Sequence, residues 1–310
     1  MTSGARQALS PIQRAYRFVN RPYYIYRPAQ LRARLHAGAG WQAEPRLMRT
    51  AWGAQLYCWH DPVGQAIDRT GVYDLVVMET LARLADPGET AVDAGAHVGL
   101  MSSVLAYATG EHGHVVAYEP HPVNFQTLER NIERWRQTER IDTVEARQAA
   151  VSSQAALLPL AADPDTFARN KGTASLEAGN GDFAVEVRAV RLDDEFDSAI
   201  GVLKLDVEMH ELAALAGADR LLREGQLRDI LFEEHEQPPT AVTELLEQRG
   251  YTVYGVRQAL SGPVICTPAE AHSGKLWDPP ALLATRDPTR ARARLKRRGW
   301  VTLRNRLGAR

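Results

Sequence analysis

The amino-acid sequence predicts an α/β fold in which a mainly parallel sheet carries helices on both faces. From about residue 70 to 267, short runs rich in β-branched residues alternate with longer stretches of helical hydrophobic period, which is the pattern of βαβ units. The composition, with 45% hydrophobic and 24% charged residues, is that of a soluble globular chain. The length of 310 residues allows one large core to form.

The clearest elements are two consecutive βα units. Residues 90–95 form a strand, and residues 98–108 continue as a helix. A second strand over 114–119 is followed by an amphipathic helix over 124–136. The order strand, helix, strand, helix predicts that the two strands are parallel neighbours in one sheet.

The later elements continue this alternation. We expect strands over 143–151, 183–190, 200–207 and 228–234, helices over 208–223 and 240–249, and a closing antiparallel pair over 251–256 and 263–267. The polar stretch before residue 183 is predicted to be an inserted hairpin and loop. Insertions of this kind often determine specificity.

The charge is distributed unevenly, although the formal net charge is only −1. Residues 1–50 carry nine Arg and one Glu, and residues 286–310 carry ten basic residues and one Asp. Of the 37 basic and 38 acidic residues, 18 basic and 36 acidic therefore lie between these ends. The sequence predicts an N-terminal helical and aromatic extension over 1–69 that packs on the core, a working domain over 70–267, and a basic C-terminal segment over 268–310.

The expected compartment is the cytoplasm. Cys58 and Cys266 lie far apart in unlike contexts, so neither a disulfide framework nor a metal clip is supported. No apolar run reaches the roughly 18 residues that span a bilayer, and the start of the chain is a poor secretory signal. The basic C-terminal segment leaves three interpretations open, namely a solvated tail, a segment docked on the acidic domain, or a peripheral contact with the inner face of a membrane. A homo-oligomer is also left open.

The most informative loop follows the first strand and reads Val92-Asp-Ala-Gly-Ala-His-Val-Gly99. Gly95 and Gly99 let the backbone turn tightly and approach a ligand at the carboxyl edge of the sheet. The GxxxG spacing differs from the dinucleotide fingerprint GxGxxG, and no GxxxxGK[ST] is present. Asp93 suits a cationic ligand, and Glu119 is placed to accept both hydroxyls of a ribose. Together these features predict an S-adenosylmethionine pocket.

The ordered motifs resemble the FkbM family of S-adenosylmethionine-dependent methyltransferases. They read VDAGAHVG and VVAYEPHPVNF in the two βα units, followed by GTASL at 172–176, LKLDVEMHELA at 203–213 and ILFEEHE at 230–236. The resemblance covers roughly residues 70–256. It implies a class I methyltransferase fold, Rossmann-like with a seven-stranded sheet, and O-methylation of a hydroxyl on a saccharide, a polyketide or a similar metabolite. One departure is Met209, which stands where the family pattern DvEG.E has glycine.

The motif residues give a candidate site. The predicted cofactor-binding residues are Asp93, Gly95, Ala96, His97, Gly99, Glu119, Pro120, Asn124, Ala150, Val151 and Asp206. An alcohol is a poor nucleophile at neutral pH, so methyl transfer to oxygen gains from a positioned base. His235 is the first candidate base, with Asp206, Glu208 and Glu233 orienting the hydroxyl or the imidazole. These four side chains could also ligate a divalent ion, but they form no compact ligand motif, so no metal is predicted.

Three rival functions remain open from the sequence. Met209 is compatible with a degenerate family member that binds S-adenosylmethionine or a membrane without chemistry. The basic ends would suit an RNA methyltransferase, but they lie outside the recognised domain, so a small-molecule or glycan acceptor is expected and no nucleic acid. A nicotinamide-dependent oxidoreductase is disfavoured because GxGxxG is missing.

Overall fold

A computed structural model describes residues 21–27, 44–139, 141–176, 184–272 and 281–303. Its strands, in chain order, are β1 (Arg46–Arg49), β2 (Gln55–Cys58), β3 (Thr90–Ala94), β4 (His114–Tyr118), β5 (Val144–Arg147), β6 (Ala150–Val151), β7 (Ala156–Leu160), β8 (Val185–Val190), β9 (Ile200–Leu205), β10 (Leu227–Glu233), β11 (Thr252–Ala259), β12 (Gly262–Cys266) and β13 (Ala281–Thr285). Its helices are α1 (Pro22–Tyr26), α2 (Pro62–Thr70), α3 (Leu75–Leu84), α4 (Leu100–Thr109), α5 (Pro122–Thr138), α6 (Pro164–Arg169), α7 (Leu192–Glu195), α8 (Glu211–Ala216), α9 (Asp219–Arg223), α10 (Ala241–Gln248), α11 (Pro268–His272) and α12 (Pro288–Leu295).

Eight strands form the central sheet in the order β12-β11-β13-β10-β9-β3-β4-β5. The five strands from β10 to β5 pair in parallel. β13 is antiparallel to both of its neighbours, β10 and β11, and β12 pairs antiparallel with β11 at the sheet edge. The sheet is thus mainly parallel, with antiparallel pairing confined to the strands beyond β10. The predicted α/β sheet is therefore confirmed, with one strand more than the seven expected.

Two apolar layers lie on opposite faces of this sheet. Along β3, Ala91 belongs to one buried cluster and Val92 to the other, as expected for side chains that alternate in a strand. The first cluster includes residues of α3 and α4, and the second includes residues of α8, α9 and α10. Helices thus cover both faces, and the carboxyl edge of the parallel strands is left for a ligand site.

The described parts of the N-terminal extension pack on this core. Strands β1 and β2 form an antiparallel hairpin, and Trp52 at its turn is buried. The side chain of Asn131 on α5 binds both the backbone N–H and the C=O of Tyr57. The extension therefore contains a hairpin as well as the expected helix. Its residues 1–20 and 28–43 lie outside the described ranges.

The predicted domain boundary at residue 267 falls inside the sheet and is wrong. β13 is buried along its whole length between β10 and β11. Helix α12 follows it, and Trp300 is fully buried in the same apolar cluster as α3. Residues 281–303 are thus part of the domain. The sequence did not predict this strand, because the apolar run ALLAT is only five residues long and is followed directly by an arginine-rich stretch.

Two other elements differ from the sequence-based expectation. The strand predicted over 143–151 divides between β5 of the central sheet and β6 of a three-stranded sheet ordered β6-β8-β7. The helix predicted over 208–223 is broken at Gly217, where a Cβ would lie 1.9 Å from the carbonyl oxygen of Ser152. That helix also begins late, at Glu211, because Glu208 and Met209 adopt positive φ values of 52° and 73°.

The described helices and cysteines add two facts. Within the ranges that the structure describes, no helix is long and apolar enough to cross a membrane. Cys58 is buried and Cys266 is partly exposed, and both thiols are free.

Candidate active site

A cleft opens at the carboxyl ends of β3, β4 and β9, and the small sheet and the loop after α6 form its opposite wall. Nine of the eleven residues predicted to bind the cofactor line it: Gly95, Ala96, His97, Glu119, Pro120, Asn124, Ala150, Val151 and Asp206. The structure therefore gathers most of the candidate site into one cavity. Asp93 and Gly99 do not line it.

Gly95 shapes the floor of the cleft. Its φ is +78°, and a Cβ at this position would lie 1.8 Å from the backbone oxygen of Asp206. Only glycine fits such a close approach with a left-handed backbone. Gly99 has a different role, because a Cβ there would meet the side chains of Leu128 and Trp135. The first glycine lets the loop after β3 approach the backbone at the end of β9, and the second lets helix α4 pack against α5.

Glu119 is held rigidly at the end of β4. The backbone N–H of His97 donates to Oε2 at 2.8 Å, and the N–H of His121 donates to Oε1 at 2.9 Å. Each carboxylate oxygen keeps a further lone pair with which to accept a hydrogen bond. The side chain is almost fully buried, and this burial raises the pKa of Glu119 above its usual range. The geometry suits a carboxylate that accepts two neighbouring hydroxyls.

Asp93 does not face the cleft as predicted. It is fully buried, accepts a 2.6 Å hydrogen bond from Ser102 and lies 3.4 Å from the ammonium group of Lys204. Lys204 also donates to the backbone oxygen of Gly95 and lies 3.2 Å from Asp206. Burial opposes the charge on Lys204, but the two carboxylates outweigh it and raise its pKa. Asp93 thus anchors a lysine that positions the loop and Asp206.

The insertion between β6 and β8 closes one side of the cleft. The Asn124 amide donates from Nδ2 to the backbone oxygen of Lys171 at 2.8 Å, whereas its buried Oδ1 has no hydrogen-bond partner. The Lys171 ammonium lies 4.5 Å from the ring centre of Phe167 and 5.4 Å from that of Trp59. An unsatisfied buried oxygen is costly unless a ligand donates to it. Asn124 therefore offers a bound ligand an acceptor.

Acidic side chains concentrate where β9 ends. Glu208 lines the cleft between Asp206 and His210. Burial, reinforced by the nearby charges of Asp206 and Glu211, raises the pKa of Glu208 to about 7. His210 forms part of the wall, with its Nε2 2.9 Å from the hydroxyl oxygen of Ser152. This end of the cleft holds a carboxyl group that gains or loses its proton near neutral pH.

The two candidates at the end of β10, Glu233 and His235, lie in different surroundings. Glu233 lines a smaller cavity that adjoins the cleft and shares Tyr73, Lys204 and Asp206 with it. Burial and the nearby charge of Asp206 raise the pKa of Glu233 well above its usual range. His235 is exposed and lines neither cavity. The structure does not bring His235 into the cleft, because β10 ends at Glu233 and the strand alternation does not extend to residue 235. Its role as the base stays a prediction.

Several cleft residues were not predicted from the sequence. Lys204 shares strand parity with Asp206, and this could have been a signal for it. His210 is adjacent to the acidic motif, whereas Tyr73 and Lys171 carry no local signal. Among the described residues, no group of three or more His, Cys, Asp or Glu is arranged to hold a metal ion.

This chain is similar to a known protein family and to a known relative. Residues 93–253 match the model of the methyltransferase FkbM domain, which is more than half of the chain. The chain belongs to the FkbM methyltransferase family. It is 30% identical over 208 residues to the 31-O-demethyl-FK506 methyltransferase FkbM of Streptomyces tacrolimicus, which covers 56% of this chain and 76% of that relative. The family implies S-adenosylmethionine as the methyl donor.

Solved structures give weaker similarity. Methyltransferase FkbM from Methylobacillus flagellatus KT is 18% identical with a TM-score of 0.44, covering 71% of this chain and 52% of that structure. This chain thus spans about half of that FkbM-family structure. A SAM-dependent O-methyltransferase from Thermotoga maritima is 16% identical with a TM-score of 0.39, covering 78% and 77% of the two chains.

The lining of the cleft offers this donor several acceptor groups. Gly95 lines the cleft, and the buried Asn124 Oδ1 has no hydrogen-bond partner, so it can accept from a ligand. Glu119 presents two acceptor oxygens. In related folds, an acidic residue about 20 residues beyond the glycine-rich turn binds the ribose, and Glu119 has this spacing from Gly99. Glu119, Gly95 and Asn124 are therefore the residues that would hold S-adenosylmethionine.

Proposed function

We propose that this FkbM-family chain transfers a methyl group from S-adenosylmethionine to a hydroxyl oxygen of a saccharide or of a glycosylated or polyketide metabolite. The observation that carries the proposal is the position of Glu208, a carboxyl group of raised pKa in the same cleft as the cofactor-binding residues. The relative from Streptomyces tacrolimicus supports oxygen as the acceptor atom, because its name gives a 31-O-demethyl substrate.

The chain's own residues orient the donor. Glu119, Asn124 and the backbone around Gly95 bind it along the carboxyl edge of the sheet. When bound, S-adenosylmethionine supplies an electrophilic methyl group on a positively charged sulfur. Asp206 and Glu208 give this end of the cleft a negative potential that favours a cation. Lys204 holds Asp206 in place through a 3.2 Å ion pair.

Glu208 is the proposed base in place of His235. A general base works best when its pKa lies near the working pH, and burial brings Glu208 to about 7. Its carboxylate accepts the proton of the acceptor hydroxyl while the oxygen bonds to the methyl carbon. The carbon–sulfur bond breaks in the same step, and its electron pair leaves on the sulfur of S-adenosylhomocysteine. Asp206 is less suited to this task because its charge is already paired with Lys204. The role of the cleft is then alignment and proton removal.

Cofactor binding is tested by isothermal titration with S-adenosylhomocysteine. The wild type should bind in the micromolar range, and Glu119→Gln should weaken binding at least tenfold, because the new amide N–H₂ faces a backbone donor. Glu129→Gln makes the same change at an exposed position about two turns into α5, and its binding should match the wild type. Absence of binding by the wild type would refute the proposed donor.

Proton removal is tested by methyl transfer to a panel of hexoses, alkyl glycosides and hydroxylated macrocycles, with S-adenosylhomocysteine formation as the readout. Glu208→Gln should lower kcat by about 100-fold or more while cofactor affinity stays within a factor of three. His235→Ala should leave kcat within a factor of three of the wild type. The reverse pattern would return the role of base to His235.

A further inference from the structure

The basic residues between positions 288 and 303 of the C-terminal segment divide into two sets. Arg290 and Arg294 point into the protein and bind the carboxylate of Asp86, and Arg290 also donates to Asp229 at 2.8 Å. The second set is exposed and consists of Arg292, Lys296, Arg297 and Arg298. The first set stabilises the fold through these ion pairs. The second set makes no such ion pair with any residue that the structure describes, and it forms a positively charged surface.

The exposed cations line a groove between α12 and the β11–β12 hairpin, called here the basic groove. Its apolar wall includes Val253, Pro263 and Ile265. Arg257 lies directly opposite Val264 in the hairpin register, so its side chain extends from the same face of the hairpin. The basic groove thus combines positive charge with apolar surface, and it shares no lining residue with the catalytic cleft.

The charge of the basic groove has little compensation nearby. Among the described residues that line it, Glu270 is the one carboxylate. Glu270 accepts hydrogen bonds from the backbone N–H of Thr267 at 2.8 Å and from its hydroxyl at 2.9 Å, which direct it toward its own helix start. Four cations against one engaged carboxylate give a surface that attracts an extended anion.

The apolar side chains of the hairpin are exposed beside this charge. Leu260 at the turn is 46% exposed, and Val264 on β12 is 47% exposed. Large aliphatic side chains on a hairpin tip, flanked by cations, match the composition of surfaces that enter a membrane interface. A single-stranded nucleic acid would instead need exposed aromatic rings on which its bases stack. The ring of Tyr254 in this groove is buried, and the Arg292 guanidinium lies 5.0 Å from its centre, so it offers no such surface.

We propose that the basic groove docks the protein on an anionic lipid surface. Arg257, Arg292 and Lys296–Arg298 contact the headgroups, while Leu260 and Val264 enter the interface. Each cation near an anionic bilayer raises the partition constant about fivefold. Docking holds the enzyme at a surface without inserting a helix, and it is independent of the proposed methyl acceptor.

The test is co-sedimentation of the full chain with vesicles of phosphatidylglycerol and phosphatidylcholine in equal parts, compared with pure phosphatidylcholine. Wild type should bind the anionic vesicles alone, with weaker binding as salt rises. The triple variant Lys296→Gln, Arg297→Gln, Arg298→Gln should lose on the order of 100-fold in partition constant. Leu260→Ser with Val264→Ser should lose about tenfold at any salt concentration.

A matched control removes the same charge elsewhere on the exposed surface, through Arg136→Gln, Arg169→Gln and Arg188→Gln. This control should bind vesicles as the wild type does, and all variants should keep the wild-type unfolding midpoint. Equal losses in the two triple variants would overturn the proposal, because net charge alone would then explain binding. Tighter binding to polyuridylate than to vesicles, unaffected by the Leu260 and Val264 changes, would overturn it in favour of nucleic acid.

Discussion

The buried pair Glu79 and Arg83 on α3 fastens the C-terminal segment to the domain. Glu79 accepts four hydrogen bonds, from Arg83 Nε, from the backbone N–H groups of Val301 and Thr302, and from the Thr302 hydroxyl, at 2.7–2.9 Å. Arg83 donates to four backbone oxygens between residues 294 and 299. The two side chains are 0% and 3% exposed, so water replaces none of these bonds.

Glu79→Gln keeps the shape of this contact and should destabilise the protein strongly. One amide N–H₂ would face donors in place of an accepting oxygen, and Arg83 would become a buried charge without its partner. Breaking a buried ion pair in this way costs about 3–5 kcal/mol. That is a large part of the roughly 5–15 kcal/mol that stabilises a typical domain.

The assay is urea unfolding at pH 7, followed by tryptophan fluorescence. Glu133→Gln is the matched control, because its carboxylate is 58% exposed and lies 3.8 Å from Arg136, so the change should cost about 1 kcal/mol or less. A loss below about 1 kcal/mol for Glu79→Gln would refute the reasoning. Residues 294–303 would then be a separable tail.

Three further predictions concern the cleft and the loop after β9. Gly95→Ala should abolish S-adenosylhomocysteine binding in calorimetry, because its Cβ would lie 1.8 Å from the Asp206 backbone oxygen and would displace the loop that lines the cleft. Micromolar binding by this variant would contradict the requirement for glycine at this position. Met209→Gly should raise the free energy of unfolding by about 0.5–1 kcal/mol in urea by relieving the left-handed backbone, and a lower value would show that the side chain stabilises the fold. Burial raises the pKa of Glu208 to about 7, so its carboxylate is lost as pH falls through 7; kcat should fall about tenfold per pH unit below that value, whereas Glu208→Gln should show no such limb.

The sequence predicted those parts of the site that depend on local backbone. The turn at Gly95 and the carboxylate of Glu119 each follow a strand with a clear pattern, and the structure brings both to one cleft. The alternation of side chains along β9 correctly predicted Asp206 at the sheet edge. Asp93 instead faces the protein interior, where its carboxylate compensates the charge of the buried Lys204. Such pairings depend on the neighbouring strand, and no local pattern encodes them.

Long-range packing explains the other differences. His235 follows the last residue of its strand, so strand alternation no longer fixes its direction. β13 is held as a strand by its pairing with β10 on one side and β11 on the other. This pairing is not visible in its own five residues. Met209 stands where the family pattern has glycine. The backbone at Met209 has a φ of 73°, which is a left-handed conformation that glycine adopts without strain.

The place of β13 between β10 and β11 has a consequence for synthesis of the chain. β10 ends at Glu233 and β11 at Ala259, yet the strand that joins them begins only at Ala281. Until residues 281–285 leave the ribosome, β10 and β11 each present an unpaired edge, which is the kind of surface on which nascent chains aggregate. The central sheet therefore closes only after nearly the whole described chain has been translated, and we expect chaperone dependence to be greatest during that interval.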